Sequence, residues 1–145
     1  MGFYGILIAT AAGWYLAGLS WTISLVTYPA FSLVGKREWR RYHDAHVRRI
    51  VPAVGPMWAA QGLGIALWLS APPHGTRPAL VLTACAAAAT AVVTAFAAIP
   101  AHAALARDYD PVADRRLARA HALRTIAWTV AALGSAAALA LARAT

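Results

Sequence analysis

The sequence predicts an all-α integral membrane four-helix bundle with an amphipathic helical segment before helix 2, built as a single four-helix transmembrane domain over residues 1–145. Three observations predict it. Apolar residues make up 61% of the chain and charged residues only 12%, against about 25% charged in soluble domains. Four apolar stretches fall at residues 3–34, 51–71, 79–105 and 125–141, the last being the upper part of a helix that starts near Pro111; a membrane-spanning helix takes about 20 residues. Strand alternation is absent and alanine abundant, and helices satisfy their backbone locally in lipid, so a β-barrel is set aside.

Taken in order, the first stretch carries no basic segment before it and no charge until Lys36, a poor match to a cleavable signal peptide, and is expected to remain as helix 1. Proline disfavours helical geometry in the residue before it, so helix 1 is expected to kink or end at Tyr28-Pro29. An amphipathic helix follows over residues 37–50, with Pro52 and Pro56 marking entry into helix 2. Residues 71–75, Ala-Pro-Pro-His-Gly, read as a tight turn containing a solvated His74. Helix 3 carries a line of small residues, Ala84, Ala88, Ala91, Ala95 and Ala98, suited to close helix packing. Cys85, the only cysteine, reads as a small core residue and excludes a disulfide or a cysteine-based metal motif. Asp110 is expected to cap helix 4, with Pro111 at its first position.

Eleven of the thirteen basic residues lie in or beside the 1–2 and 3–4 connections, leaving Arg77 and Arg143 on the other side. The positive-inside rule then makes those connections cytoplasmic and both termini external, in the cell membrane. The net charge of +8 is a topology signal, with attraction to anionic lipid as its plain use. Binding to nucleic acid would need a soluble basic face with interleaved aromatics, which is missing.

The candidate chemistry gathers at the basic end. In Tyr42-His43-Asp44-Ala45-His46, the two histidines lie about 60° apart on a helical wheel and share a stripe with Trp39 and Ile50, while Arg37, Arg41, Asp44 and Arg48 take the opposite, water-facing side. Two histidines at that spacing can point at one metal ion, or merely sit among headgroups. His102 follows Ile99-Pro100 and is expected to point into the bundle. On helix 4, Asp114, Leu117, His121, Arg124 and Trp128 form a stripe. Arg124 stands where the apolar run begins, a costly position unless it faces the interior or snorkels to the interface. Gln61 would align with His43 and His46 if helix 2 ran straight on from the amphipathic segment. Trp14, Trp21 and Tyr28 recur every seven residues and can wall a pocket or form plain packing.

Tyr28-Pro29-Ala30-Phe31, the run from Tyr42 to Ile50, Ile99-Pro100-Ala101-His102 and His121-Ala122-Leu123-Arg124 together resemble the anthrone-oxygenase-like group of small four-helix membrane proteins. His102, His121 and Arg124 occupy matching places. The resemblance implies oxidation or oxygenation of a lipophilic phenolic substrate, with no cofactor fixed.

Three function classes follow. In the first, a membrane oxidoreductase binds one transition metal, copper or iron rather than zinc, through His43, His46, His102 and His121. Arg124 and Tyr42 then serve as catalytic groups, Asp114 or Tyr42 supports the metal ligands, and Trp21, Tyr28, Gln61 and Trp128 line a pocket for a phenolic or quinol-like substrate. In the second, catalysis needs no cofactor: a histidine takes the phenolic proton and Arg124 holds the anion. The third is non-enzymatic, a haem- or quinone-binding subunit, a small transporter, or a scaffold packing through its alanine faces, which also leaves a homo-oligomer open.

Overall fold

The computed structural model describes residues 1–144, and among these every regular element is helical. Four helices, α1 (Gly2–Phe31), α2 (Trp39–Ser70), α3 (Arg77–Leu105) and α4 (Pro111–Ala144), are each long and apolar enough to cross a membrane. The chain thus has the build of a multi-pass membrane protein. At about 1.5 Å of rise per residue, even the shortest exceeds a hydrocarbon core of about 30 Å.

The helices form an incomplete ring. α1 packs along both α2 and α4, and α4 packs along α3, whereas α2 and α3 touch each other far less. Backbone proximity makes the α1–α2 contact: a Cβ placed on Gly64 would lie 2.6 Å from the Ala9 nitrogen and 2.9 Å from the Gly5 oxygen. Only a glycine fits there, the small-residue route to close helix packing in lipid. Three apolar clusters stack along the bundle. Ile6, Trp68, Leu80 and Ala138 fill one end, Leu16, Ala17, Trp128 and Ala132 the middle, and Phe31, Trp39, Leu105 and Leu117 the basic end.

Prolines shape the helices differently from the sequence expectation. α1 does not end at Tyr28-Pro29; it widens into a π-helical turn at Ile23–Thr27 and runs on to Phe31. α3 does the same at Thr94–Ala98, again just before a proline, Pro100. Each proline lacks an N–H and its ring crowds the carbonyl four residues earlier, which lies inside the widened turn. A π-turn carries one extra residue and so rotates everything after it. In α1 the buried residue two turns beyond Ser20 is Tyr28, eight positions on, not Thr27 at seven. In α3 the Thr83–Thr90 line continues at Ala98, while Ala97 is exposed.

α2 is one helix from Trp39 to Ser70 with Pro52 and Pro56 inside it, so the amphipathic segment and helix 2 are continuous. Both prolines are exposed, so their rings lie off the packed face of the helix. Most of the alanine line of α3 is not its packing face: Ala88, Ala91 and Ala95 are exposed and Ala84 is half-buried, the buried residues ahead of the π-turn being Leu80, Thr83 and Thr90, and only Ala98 at the end of that turn is buried. Cys85 is likewise exposed, on the outside of the bundle.

The turns close as the sequence indicates. Between α2 and α3, Trp68 Nε1 donates to Thr76 Oγ1 (3.0 Å), which donates to the Pro73 carbonyl (2.8 Å), and Gly75 takes a positive φ of 74°. His74 is exposed there. At the start of α4, the Val112 N–H donates to Asp110 Oδ1 at 2.8 Å, which makes Asp110 the cap ahead of Pro111.

The α1–α2 contact is testable by substitution. Gly64→Ala should lower stability in detergent by about 1–3 kcal/mol, the usual cost of overpacking, seen as a lower thermal midpoint. Gly62→Ala, where a Cβ meets nothing within 4 Å, should leave the midpoint unchanged; equal effects would show that the contact is not tight.

Candidate functional site

The gap between α2 and α3 is a cavity of about 690 Å³, within the range of small-molecule sites, roughly 300–1,000 Å³. Leu16, Leu19 and Ile23 of α1 form its back, Val54 and Trp58 of α2 one side, and Thr94, Ala98 and Ile99 of α3 the other. Val51 and Ile99 on its rim are exposed apolar residues, so the mouth opens sideways on an apolar surface. Its polar wall consists of Ser20, Tyr28, His43, His102, His121 and Arg124, with Asp44 and Arg48 at the rim. The sequence placed Asp44 and Arg48 wholly on the water side; they are exposed, yet they border the cavity because α2 and α3 stand apart.

The π-turns deliver two of these groups. Tyr28 turns inward after the first, and His102 after the second, continuing the line of Leu80, Ala87 and Thr94 at eight residues beyond Thr94 rather than seven. His43 is held by its own face of α2: Trp39 is fully buried and its Nε1 donates to the Leu105 carbonyl at 2.8 Å, pinning the start of α2 to the end of α3. That places His43 Nε2 at 3.2 Å from His102 Nδ1, so one nitrogen carries a proton that the other accepts. His46 is off the cavity lining. Its ring stacks on His102 (6.2 Å between centroids, 24° between planes) and meets Phe31 edge-on at 5.2 Å.

His121 stands apart from that trio. Tyr28 is the shared neighbour, 4.8 Å from His121, 6.2 Å from His46 and 6.5 Å from His102 between ring centroids. His121 Nε2 is 3.0 Å from the Ser20 carbonyl oxygen, and a hydroxyl network of Ser20, Ser24 and Thr125 surrounds it. Arg124 lies over the Trp128 ring at 4.7 Å, a cation–π contact, and both line the cavity.

Several buried polar atoms here have no partner within the protein: His43 Nδ1, His121 Nδ1, Arg124 Nε and Trp128 Nε1. Leaving such an atom unpaired costs about 1–3 kcal/mol, so four of them around one cavity mark it as a place for a polar ligand atom. Among the described residues, no group of three or more His, Cys, Asp or Glu side chains is arranged to hold a metal ion.

Other candidates lie elsewhere. Trp21 is 48% exposed and donates to Thr129 Oγ1 at 3.2 Å on the outer surface. Trp14 is equally exposed, and the π-turn beyond the two tryptophans takes Tyr28 off the line they share. Gln61 is buried, with neither amide atom partnered, but it lies one turn below Trp58, outside the cavity. Tyr42 packs on Phe31 and Trp39 (5.8 and 6.4 Å), also off the lining. Asp114 accepts from the Tyr109 hydroxyl at 3.1 Å, and it too is off the lining. Tyr109, in the α3–α4 loop, is held above the ordinary tyrosine value by desolvation and by the Asp114 carboxylate and its hydrogen bond.

Sequence reasoning missed Ser20 and Trp39 as positioning groups and Trp58 as a wall. The spacing of Ser20 and Ser24 on one face of α1 was the available signal for the hydroxyl network. No known protein family, curated protein or solved structure matches this chain.

Proposed function

We propose that the protein is a membrane oxidoreductase, oxygenase-like in character, that takes a lipophilic phenolic or quinol-like molecule from the bilayer into the cavity between α2 and α3. The observation that carries this reading is the lateral apolar mouth leading to unpartnered imidazole and guanidinium nitrogens. The resemblance of the histidine and Arg124 segments to anthrone-oxygenase-like proteins points the same way. A flat apolar body suits the walls of Leu16, Trp58 and Trp128, and Tyr28 and Trp128 are the pocket aromatics of the sequence reading that line it.

An imidazole takes the hydroxyl proton, and Arg124 holds the oxygen as charge builds on it. A hydroquinone that becomes a quinone loses two protons and two electrons; one dioxygen that accepts them becomes hydrogen peroxide, so dioxygen suffices as co-reactant. Arg124 contributes about 1.5–3 kcal/mol as a charge-assisted hydrogen-bond donor. Arg124→Ala should therefore slow oxygen uptake with a membrane-soluble hydroquinone or phenol by about 10- to 100-fold in proteoliposomes. Wild-type protein that binds such a molecule without oxygen uptake would instead be a non-enzymatic carrier or quinone-binding subunit.

A metal-dependent version would rest on neighbouring imidazoles. His43 Nε2 and His102 Nδ1 are 3.2 Å apart and would give up their shared proton for both nitrogens to bind one ion. His46 is the neighbouring third imidazole, whereas His121 is engaged by Ser20. On this reading copper or iron copurifies at one per chain, survives in Arg124→Ala and is lost in His102→Ala. Elemental analysis before and after chelation checks it, metal-free active protein sinks it, and a Soret band would mark haem.

We further place the basic connections on the cytoplasmic side of the cell membrane and both termini outside, from the distribution of arginine and lysine. In a Cys85→Ala background, cysteines introduced at Lys36 and Val112 should be labelled from the cytoplasmic face only. Labelling from opposite faces would overturn the arrangement.

A further inference from the structure

We infer that the polar corner of the cavity selects a neutral hydroxyl group, whose O–H donates to His121 Nδ1, over a carboxylate. This rests on the reading of the cavity as a phenol site and specifies the ligand chemistry it accepts.

The hydroxyl network leaves one assignment of protons. Thr125 Oγ1 is 2.9 Å from the His121 carbonyl oxygen, and a carbonyl only accepts, so the single Thr125 hydroxyl proton is used there. Ser20 Oγ and Ser24 Oγ, 2.7 and 3.1 Å from Thr125 Oγ1, must then donate to it. The Ser20 hydroxyl has thereby spent its proton and offers only a lone pair to His121 Nε2 at 3.4 Å. The Ser20 carbonyl faces the same nitrogen at 3.0 Å. Two acceptors confront Nε2, so Nε2 carries the ring proton, and a neutral imidazole has only one. Nδ1 is left as a bare acceptor, buried, unpartnered and on a ring that lines the cavity.

The neighbouring unpartnered atoms, Arg124 Nε and Trp128 Nε1, are donors only. The corner therefore offers one acceptor and two donors. A hydroxyl matches it, giving its proton to Nδ1 while its oxygen accepts from Arg124. A carboxylate has no proton to give and sets lone pair against lone pair at Nδ1. It fits only if the ring first takes up a second proton from solution, one helical turn from the Arg124 guanidinium, a step a hydroxyl ligand does not need because it brings its own proton. The other titratable side chains lining the cavity are Tyr28, His43 and His102, with Asp44 and Arg48 at its rim; His46 stands behind His102.

The test uses purified protein in detergent with 2-naphthol and 2-naphthoate as probes, titrated calorimetrically at neutral pH in buffers of differing ionisation heat. Naphthol should bind at least about tenfold more tightly and without proton uptake, whereas naphthoate should bind with uptake of about one proton. His121→Gln keeps an N–H for the Ser20 carbonyl but brings no acceptor to the Nδ1 position, and should lose the preference. His121→Asn, whose side-chain oxygen can stand at that position, should recover part of it. Nitrogen-15 spectra of histidine-labelled wild type should show His121 protonated at Nε2, which tests the assignment even if a variant fails to fold. Naphthoate binding as tight as naphthol without proton uptake, an Nδ1-protonated His121, or no binding of either probe would overturn the inference. Naphthol binding is scored without turnover: bound naphthol with no oxidation of any phenol sinks the oxidoreductase reading alone, and turnover without the preference sinks this one alone.

Discussion

A proline inside a membrane helix forces a choice, because the freed carbonyl and the crowding ring must be accommodated where no water can help. α1 and α3 make the same choice, a π-helical turn directly ahead of Pro29 and Pro100. The extra residue in each turn rotates the last stretch of its helix by about 100°. Without that rotation Tyr28 would share the outward direction of Trp14 and Trp21, and Ala101 would stand where His102 stands. The inward-facing aromatic and the inward-facing imidazole both depend on this one backbone device, and the remainder of the polar corner is arranged around them.

The rest of the architecture keeps that corner open. α1 is pressed against α2 at Gly5, Ala9 and Gly64 and against α4 along its length, so these three helices form a firm back wall. Trp39, bonded to the Leu105 carbonyl, joins α2 to α3 at the basic end, and the Trp68–Thr76 bond closes the opposite turn. Tied at both ends and little packed between, α2 and α3 leave the cavity as the gap in the ring. Its contents are asymmetric along the bundle: apolar in the middle, where Leu16, Trp58 and Trp128 lie, and polar toward the basic connections. An amphiphilic molecule lying in a bilayer leaflet has the same asymmetry, which is why the cavity and the membrane can share a ligand.

Polar satisfaction divides the histidines into two kinds. His43, His46 and His102 form a mutual group in which two rings share a hydrogen bond and a third stacks alongside. His121 answers instead to α1, where a carbonyl and a hydroxyl network fix which nitrogen bears its proton. Arg124 is also split between roles, its plane lying on Trp128 while its Nε remains unpartnered. Dispersion and cation–π contacts hold the guanidinium in place without exhausting its hydrogen-bonding capacity, which leaves it able to meet a ligand oxygen.

By itself the sequence determined the helical class, the four spans, the capping of α4 by Asp110, and the concentration of chemistry at the end bearing His43, His102, His121 and Arg124. These follow from composition, from local capping chemistry and from periodicity within uninterrupted helix, all of which act over a few neighbouring residues. Tertiary structure decided the rest. Extrapolating a seven-residue repeat through Pro29 put Trp21 and Tyr28 on one wall, and only the π-turn separates them. The alanine line of α3 looked like a packing face, but only Ala98 at its far end is buried, and the closest backbone approach was taken by Gly5 and Gly64 between α1 and α2. Gln61 does follow His43 along a straight α2, yet its amide lies against Gly13 of α1, off the cavity lining. The partition of the four histidines was equally invisible, since it depends on Ser20 and Thr125, 105 positions apart in the chain. Local periodicity fixes which residues can share a helix face; which faces meet, and at what rotation, is set by where backbone strain is released and where neighbouring helices can approach.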